Sequence, residues 1–156
     1  MNKLILLLLP LYLYGITYEF KSTKNNQDFG TMICKDSKYG LLCQLDLHNL
    51  PPGPHGFHVH QVNSCKQHGM AAKGHFSLKH QKHLGPYSPI SHLGDLPKIH
   101  IDKNGSSTSQ ILAPRLNENM LKTHSIIIHE LGDNYSDKPR PLGGGGKRIA
   151  CAVYVK

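Results

Sequence analysis

Short runs in which apolar and polar side chains alternate recur along most of this chain. Each run is rich in β-branched or alternating apolar residues and is bounded by turn residues, which is typical of β-strands. The pattern predicts eight strands, at residues 16–20, 30–34, 41–47, 56–62, 98–101, 107–112, 125–130 and 148–155. Eight short strands without a long amphipathic helix predict an all-β fold, an antiparallel barrel or sandwich.

Three connecting segments between these runs carry further signals. Residues 102–105, with the sequence Asp-Lys-Asn-Gly, have the composition of a hairpin turn, because Asn and Gly tolerate positive φ. Residues 63–97 form a long stretch without strand character that carries five histidines, and residues 131–147 are polar and then Gly-rich. Loops this long in a compact domain are usually functional or disordered, and the histidines favour function.

The N-terminus has the pattern of an export signal. Lys3 precedes an apolar stretch at residues 4–13 that only Pro10 interrupts, and this stretch is shorter than the roughly 20 apolar residues of a membrane-spanning helix. We predict a signal peptide at residues 1–17 and a single domain at residues 18–156; a retained hydrophobic anchor is the alternative. In both cases the domain lies outside the cytoplasm, where disulfides persist.

The chain is basic, with a formal net charge of +8 over 156 residues. Such a charge attracts nucleic acids, anionic surfaces or small anions. The cationic residues are scattered, and no run is longer than Lys147-Arg148. We therefore expect no nucleic-acid partner and consider a small anion instead.

Twelve histidines are the unusual feature of the composition, and a metal site is the first hypothesis. His58 and His60 lie two residues apart in a predicted strand, so their side chains point to the same face while Phe57 and Val59 point to the core. Alone, this pair is a weak signal. His129 ends another predicted strand, where a buried core histidine is the commoner role; it becomes a ligand only if the fold brings it to His58 and His60.

The 63–97 loop contains a second candidate set, formed by His75, His83, His92 and Asp95. Three imidazoles and one carboxylate make a complete tetrahedral set for zinc, and a bound ion would order the loop. Histidines exposed on a loop without any metal are the alternative.

A series of motifs in this order resembles the copper/zinc superoxide dismutases. The motifs are GFHVH at 56–60, GHF at 74–76, KHLGP at 82–86, HLGDLP at 92–97, IH at 128–129, GDNYSDKP at 132–139 and PLGGGGKRIAC at 141–151. The 132–139 motif and the Gly-rich stretch after it resemble the bacterial periplasmic branch. The resemblance extends from about Gly30 to the C-terminus and implies an immunoglobulin-like, Greek-key arrangement of the eight strands with two long functional loops.

The resemblance also implies one copper and one zinc ion per chain. It assigns copper to His58, His60, His75 and His129. It assigns zinc to His75, His83, His92 and Asp95. His75 would then be an imidazolate that bridges both metals, which two dications can stabilise.

The same resemblance gives roles to residues around the metals. It places Asp133 behind the ligands as a hydrogen-bond acceptor, and Arg148 at the channel mouth as a catalytic residue together with His75. His55 matches a structural position, whereas His48, His68, His80, His100 and His124 match none and are expected to be solvated. It pairs Cys65 with Cys151, while Cys34 and Cys43 are left as either a second disulfide or buried thiols.

The function implied is the disproportionation of superoxide to dioxygen and hydrogen peroxide in the periplasm or another secreted location, with no stable membrane span after processing. A metal-storage or other non-catalytic copper- and zinc-binding protein on the same fold is the alternative. The segment between Cys65 and His75 is short for a bacterial member. That segment takes part in subunit contacts in the family, so the sequence leaves a homodimer open.

Overall fold

The fold is built from short antiparallel strands, as predicted. The computed structural model describes residues 15–78 and 81–154. Nine strands lie within these residues: β1 (Ile16–Ser22), β2 (Asp28–Ser37), β3 (Gly40–Leu47), β4 (Gly53–His55), β5 (Phe57–His60), β6 (Ile99–Ile101), β7 (Gln110–Ala113), β8 (Ser125–His129) and β9 (Arg148–Val153). The eight predicted runs correspond to eight of them, and the short β4 is the addition.

Seven of these strands form one curled antiparallel sheet in the order β5-β8-β9-β1-β2-β3-β7, and β4 pairs with β6 in a second, two-stranded sheet. Alternate residues of β1, including the fully buried Tyr18 and Phe20, face the core. The Phe20 ring packs against Phe57 at a centroid distance of 5.9 Å. Because β5 and β8 are neighbours at one edge of the large sheet, His129 lies across from Gly56, diagonally opposite His58.

The predicted hairpin at residues 102–105 is only half correct. The turn itself forms, since the Gly105 amide donates to the Asp102 carbonyl at 3.0 Å and Gly105 adopts a φ of 82°. However, β6 pairs with β4 and β7 pairs with β3, so the strands on either side of the turn do not pair with each other. The turn instead carries the chain from the small sheet to the large one.

Helical structure is limited to α1 (Glu118–Leu121) and two 3₁₀ segments, Met70–Ala72 and Pro141–Gly144, in the described residues. None of the helices in this part of the chain is long and apolar enough to span a bilayer. Most of the predicted signal peptide and His80 lie outside the described residues, and the cleavage site stays a prediction.

Two disulfides fasten the sheet and the 63–97 loop. Cys34 and Cys43 face each other directly in the β2–β3 ladder and are bonded, which decides between the two alternatives that the sequence left open. Cys65 is bonded to Cys151, 86 residues later. This second bond ties the start of the 63–97 loop to β9, the neighbour of the strand β8 that carries His129.

Candidate metal centre

Strand pairing brings three histidines together at one edge of the large sheet. β5 and β8 pair with Phe57 opposite Ile128, and the His129 amide donates to the Gly56 carbonyl at 2.8 Å. The His129 ring lies 4.9 Å from the His58 ring and 5.6 Å from the His60 ring, measured between centroids. The condition that the sequence set for His129 as a ligand is therefore met in space.

The 63–97 loop is clamped onto the outer side of β5 by backbone hydrogen bonds. The Val59 amide donates to the Gly94 carbonyl at 2.9 Å, and the Phe76 amide donates to the Val59 carbonyl at 2.8 Å. A Cβ at Gly94 would lie 2.1 Å from the Val59 carbonyl oxygen, so the close approach requires glycine. His75 directly precedes Phe76, and Asp95 directly follows Gly94. These hydrogen bonds therefore place both residues beside the histidines of β5.

Four buried histidines, His58, His60, His75 and His129, then present ligand nitrogens that all lie within 4.8 Å of one another. The His60 Nδ1–H donates to the Lys73 carbonyl at 2.9 Å, and the His129 Nδ1–H donates to the Gly146 carbonyl at 3.3 Å. Carbonyls only accept, so the neutral rings carry their lone pairs on Nε2. These two Nε2 atoms face each other at 3.4 Å.

An unpartnered buried nitrogen completes this picture. The His58 Nε2–H donates to Asp133 at 2.8 Å, which leaves the lone pair on Nδ1. His58 Nδ1 is buried and has no hydrogen-bond partner. An orphaned acceptor and two lone pairs that face each other are unfavourable without a positive charge between them. A metal cation bound by imidazole nitrogens satisfies all three atoms, so the residues fit copper.

A second group converges on Asp95. Its Oδ1 lies 3.1 Å from His75 Nδ1, 3.0 Å from His83 Nδ1 and 3.3 Å from His92 Nδ1. Ligands of a tetrahedral zinc ion with bonds of about 2.0–2.1 Å are separated by about 3.3 Å, which matches these spacings. The other oxygen, Asp95 Oδ2, is buried without a partner. Three nitrogens around one carboxylate fit zinc.

The most compact ligand set around Asp95 differs in one member from the set expected from sequence. His58, His75, His83 and Asp95 present atoms within 4.8 Å of one another, whereas His92 approaches the group through Asp95. His58 and His75 therefore belong to both compact groups. The assignment of His92 to zinc stays a proposal.

Asp133 connects the two groups from behind. One oxygen accepts the His58 Nε2–H and the other accepts the His83 Nε2–H, both at 2.8 Å, and the second oxygen also accepts the Tyr135 amide at 2.7 Å. A Cβ on Gly143 would lie 1.9 Å from Asp133 Oδ1, so the Gly-rich segment closes directly over this carboxylate. The contacts orient both rings with Nδ1 turned away from Asp133, and at His58 they leave the lone pair on Nδ1.

Burial keeps the inner imidazoles uncharged. It lowers the pKa of His75 to about 4 and that of His129 to about 2. It also holds the pKa of His58 and of His60 below the usual value, and the neighbouring His75 adds to the effect at His60. Neutral rings offer lone pairs to a metal at physiological pH.

At His83, Asp95 and Asp133, hydrogen bonds between oppositely charged groups outweigh the effect of burial and favour the charged forms. Burial opposes the charge on His83, but hydrogen bonds with Asp133 and Asp95 outweigh it and raise the pKa of His83 to about 9. Burial likewise opposes ionisation of Asp95 and Asp133, but hydrogen bonds from the surrounding histidines hold both carboxyl pKa values well below their usual range. Both carboxylates are therefore negative at neutral pH and favour cations beside them.

Arg148 lies at an open cleft of about 270 Å³ that leads to His60, His75 and His129. Its Nη1 donates to the Gly69 carbonyl at 2.6 Å and its Nη2 donates to the Lys73 carbonyl. Lys73 has a φ of 63°, which turns its carbonyl toward both Arg148 and His60. This double anchor fixes the guanidinium at the wall of the cleft that His60, His75 and His129 also line, and it was not visible in the sequence pattern.

Arg115 is a second supporting residue that sequence reasoning missed. Its guanidinium donates to the carbonyls of Ser91 and His92 at 2.8 and 2.6 Å, and to Ser91 Oγ at 2.6 Å. It thereby holds the part of the 63–97 loop that carries His92. A lone arginine between two strands gave no signal in the sequence.

The remaining histidines of residues 15–78 and 81–154 lie outside both groups. His55 is buried, with its ring nitrogens 2.7 Å from the carbonyl oxygens of His129 and Pro51. His68 and His100 are exposed, as expected, whereas His48 is half-buried, with its Nε2 3.7 Å from Asp28 Oδ2. His124 is not solvated as expected, because its ring is half-buried and stacks on Phe76 at 3.8 Å.

Comparison with known proteins agrees with the geometry. Residues 29–154 match the family model described as copper/zinc superoxide dismutase. The chain is 47% identical over 140 residues to the Cu-Zn superoxide dismutase of Actinobacillus pleuropneumoniae, covering 83% of this chain and 74% of the relative. It is 39% identical over 171 residues to the enzyme of Photobacterium leiognathi, covering 98% of this chain and 99% of the relative.

Solved structures show the same likeness. The Cu/Zn superoxide dismutase from Brucella abortus superposes with a TM-score of 0.83 and 36% identity, covering 91% of this chain and 100% of that chain. The monomeric enzyme from Salmonella enterica gives a TM-score of 0.77 at 37% identity, covering the same shares. The family model, the relatives and the two histidine groups lead to one conclusion: this chain belongs to the copper/zinc superoxide dismutase family.

Proposed function

We propose that this chain is a periplasmic superoxide dismutase that converts two superoxide anions and two protons into one dioxygen and one hydrogen peroxide. The observation that carries the proposal is the position of His75. It contributes a ring nitrogen to the four-histidine group and directs Nδ1 at Asp95 in the second group. A single imidazole that reaches both groups supports a paired metal centre, which a redox enzyme of this kind would use and a simple store would not need.

Copper would be held by His58, His60, His75 and His129, and zinc by His75, His83, His92 and Asp95. Bound copper supplies a one-electron redox couple that accepts an electron from one superoxide and returns it to a second. The donor set supports this assignment, because four imidazoles suit copper and three imidazoles with one carboxylate suit zinc. Within the zinc set, the three Nδ1 atoms of the histidines all face the same Asp95 oxygen.

The chain's own residues orient the reaction. Asp95 lies 3.1 Å from His75 Nδ1, which leaves Nε2 as the nitrogen that would serve the four-histidine group and hold a proton there. Lys73 and Gly146 fix the tautomers of His60 and His129 through their carbonyls. Each ring is thus held before substrate arrives, which lowers the cost of reorganisation during turnover.

Arg148 would attract and orient the anion. The two hydrogen bonds of its guanidinium hold a positive charge at the wall of the cleft that His60, His75 and His129 also line. Superoxide dismutases are an established example of electrostatic steering. Replacing Arg148 by Ala should slow superoxide consumption by about an order of magnitude and flatten its dependence on salt. Arg140→Ala removes an exposed charge outside the residues that line the cleft and is the matched control.

A periplasmic location is supported by the two disulfides, which are typical of compartments outside the cytoplasm, and by the bacterial relatives. The test is to fractionate cells that express the full chain and to locate the mature protein by immunoblotting. Protein released with the periplasmic fraction, shortened at the N-terminus by about 17 residues, supports the proposal. Full-length protein retained in the membrane fraction supports the anchored alternative.

Activity and metal content are measured together on the mature, disulfide-bonded protein. We expect one copper and one zinc per chain and rapid superoxide consumption that cyanide inhibits. A preparation that holds both metals but consumes no superoxide would instead identify a metal-storage protein on this fold. Light scattering on the same preparation determines whether the chain is a monomer or a homodimer.

A further inference from the structure

A second hollow lies next to the cleft that leads to His60, His75 and His129. Its volume is about 410 Å³, and it shares Met70, Lys147 and Arg148 with that cleft. On its outer side it is lined by His68, among other residues. Met70 is 61% exposed although it lines both spaces. Its thioether is therefore accessible to a solute that enters either space.

The backbone between Cys65 and Lys73 adopts a conformation that few residues tolerate. Gln67 and His68 both have a φ of 54°, and Gly69 follows with a φ of 80°. Left-handed conformations of residues other than glycine are unfavourable and are often found at functional sites. The anchoring of Arg148 accounts for the position of the Gly69 carbonyl, but it does not account for an exposed imidazole and an exposed thioether on either side of it.

The His68 ring is already prepared as a ligand. Its Nδ1–H donates to the Thr23 carbonyl at 2.7 Å, so its lone pair lies on Nε2. A hydrogen bond from the other ring nitrogen to a carbonyl is the usual support of a metal-binding histidine. His68 matched no functional position in the sequence comparison, yet it has this support and lines the same hollow as Met70.

The charge of the entrance explains why such ligands are useful. Lys147 and Arg148 line both the hollow and the cleft, Lys24 lines the hollow, and Glu130 is the one carboxylate among the lining residues, so positive charge predominates. A positive entrance that attracts superoxide repels a free metal cation. A thioether is a soft ligand that prefers copper(I) to hard cations, and it binds through a covalent contribution that does not depend on a negative charge.

We propose that His68 Nε2 and the Met70 sulfur form a transient copper(I)-binding site at the entrance, from which the ion passes to the four buried histidines. The inference rests on the proposed copper site. The transfer is a ligand exchange without change of oxidation state: the bonds to His68 and Met70 break as bonds to the inner imidazoles form. Met70 lines both spaces and therefore lies on the path between them.

The entrance site can be observed in protein already loaded with copper and zinc, using silver(I) as a redox-inert substitute for copper(I). With methionine labelled at the methyl carbon, the Met70 signal should shift on titration with silver nitrate, while the signals of Met32 and Met120 stay unchanged. The His68→Gln variant should bind silver at least tenfold more weakly. An unshifted Met70 signal, or equal affinity in the variant, would overturn the two-ligand site.

The transfer itself is tested with zinc-loaded, copper-free protein, mixed without oxygen with the copper(I) complex of bicinchoninate. Met70→Leu and His68→Gln should each slow copper uptake at least tenfold and leave the final copper content unchanged. Met120→Leu, in α1, is the control and should take up copper at the original rate. Fast uptake in all variants overturns the entrance site, whereas no uptake by the unaltered protein overturns the copper assignment itself.

Discussion

The Nε2 atoms of His60 and His129 face each other at 3.4 Å, and both carry lone pairs because the other nitrogen of each ring donates to a backbone carbonyl. Strand β5 supplies one ring and β8 the other, so the contact is set by the sheet rather than by a flexible loop. The two acceptors are separated by a distance suited to a shared cation. The fold thus builds a site that is favourable only when that cation is present.

Removal of the His129 ring should therefore abolish the binding of copper without affecting the binding of zinc. We expect His129→Ala to lose copper and to retain one zinc, because the groups around Asp95 remain intact. Elemental analysis of protein loaded with both metals measures the ratio. His124→Ala removes a half-buried histidine outside both groups and should bind both metals. Full copper content in His129→Ala would exclude this residue as a ligand.

Asp133 should be required for tight zinc binding although it is not itself placed as a ligand. The Asp133→Asn variant keeps the shape of the side chain but replaces one acceptor oxygen with an NH₂ group. This group faces the N–H of either His58 or His83, so one of the two hydrogen bonds is replaced by a repulsion between donors. Loss of such a supporting contact typically lowers metal affinity 10–100-fold. Zinc affinity of Asp133→Asn by chelator competition checks this, with the exposed Asp46→Asn as control. Equal affinities would contradict the role of Asp133.

The Gly143→Ala substitution should damage the same carboxylate by contact. Its Cβ would lie 1.9 Å from Asp133 Oδ1 and 2.7 Å from His83 Nε2, at a φ of 73°. Gly53→Ala is the control, since Gly53 also has a positive φ, 121°, but its Cβ would meet nothing within 4 Å. The free energy of unfolding should fall by about 1–3 kcal/mol in both variants, because a residue with a Cβ is strained at a positive φ. Only Gly143→Ala should lose zinc affinity; an equal loss in both would show that strain alone is responsible.

Tyr18 should make stability depend on pH in the alkaline range. Burial, together with nearby Tyr154, raises its pKa above the usual value of about 10. The native state therefore keeps the phenol proton that the unfolded chain loses, so this contribution is complete below pH of about 10 and declines above it by up to 1.4 kcal/mol per pH unit.

Replacing Tyr18 by Phe isolates that contribution. The variant loses the hydrogen bond that the Tyr18 hydroxyl donates to the Leu121 carbonyl at 2.7 Å, so it should be less stable at pH 8. The difference in unfolding free energy between the two proteins should shrink as pH rises from 10 to 11. All four cysteines are paired, so thiol titration does not interfere. A difference that stays constant with pH would contradict the shifted pKa.

Alternation and spacing in the sequence predicted the parts of the site that local geometry controls. Period-two alternation placed His58 and His60 on one face, and the density of histidines marked the 63–97 loop as functional. The sequence could state the proximity of His129 to His58 and His60 only as a condition. Pairing between strands about 70 residues apart cannot be read from the pattern of either strand alone. The motif resemblance supplied the long-range arrangement that periodicity does not contain.

Other features depend on backbone positions that side-chain patterns do not reveal. The carbonyl of Lys73, which anchors both His60 and Arg148, depends on an unusual φ rather than on the lysine side chain. Gly94 is required by the close approach of the loop to β5. The pairing of Cys34 with Cys43 depends on the β2–β3 register, which places them directly opposite each other.

Anomalous diffraction from crystals of the protein loaded with both metals, recorded on either side of the copper and zinc absorption edges, locates each ion and its ligands. The account predicts a copper peak among His58, His60, His75 and His129, a zinc peak among His75, His83, His92 and Asp95, and the His75 ring between the two peaks. A single metal peak in protein that carries both ions, or two peaks neither of which is bound by His75, would contradict it.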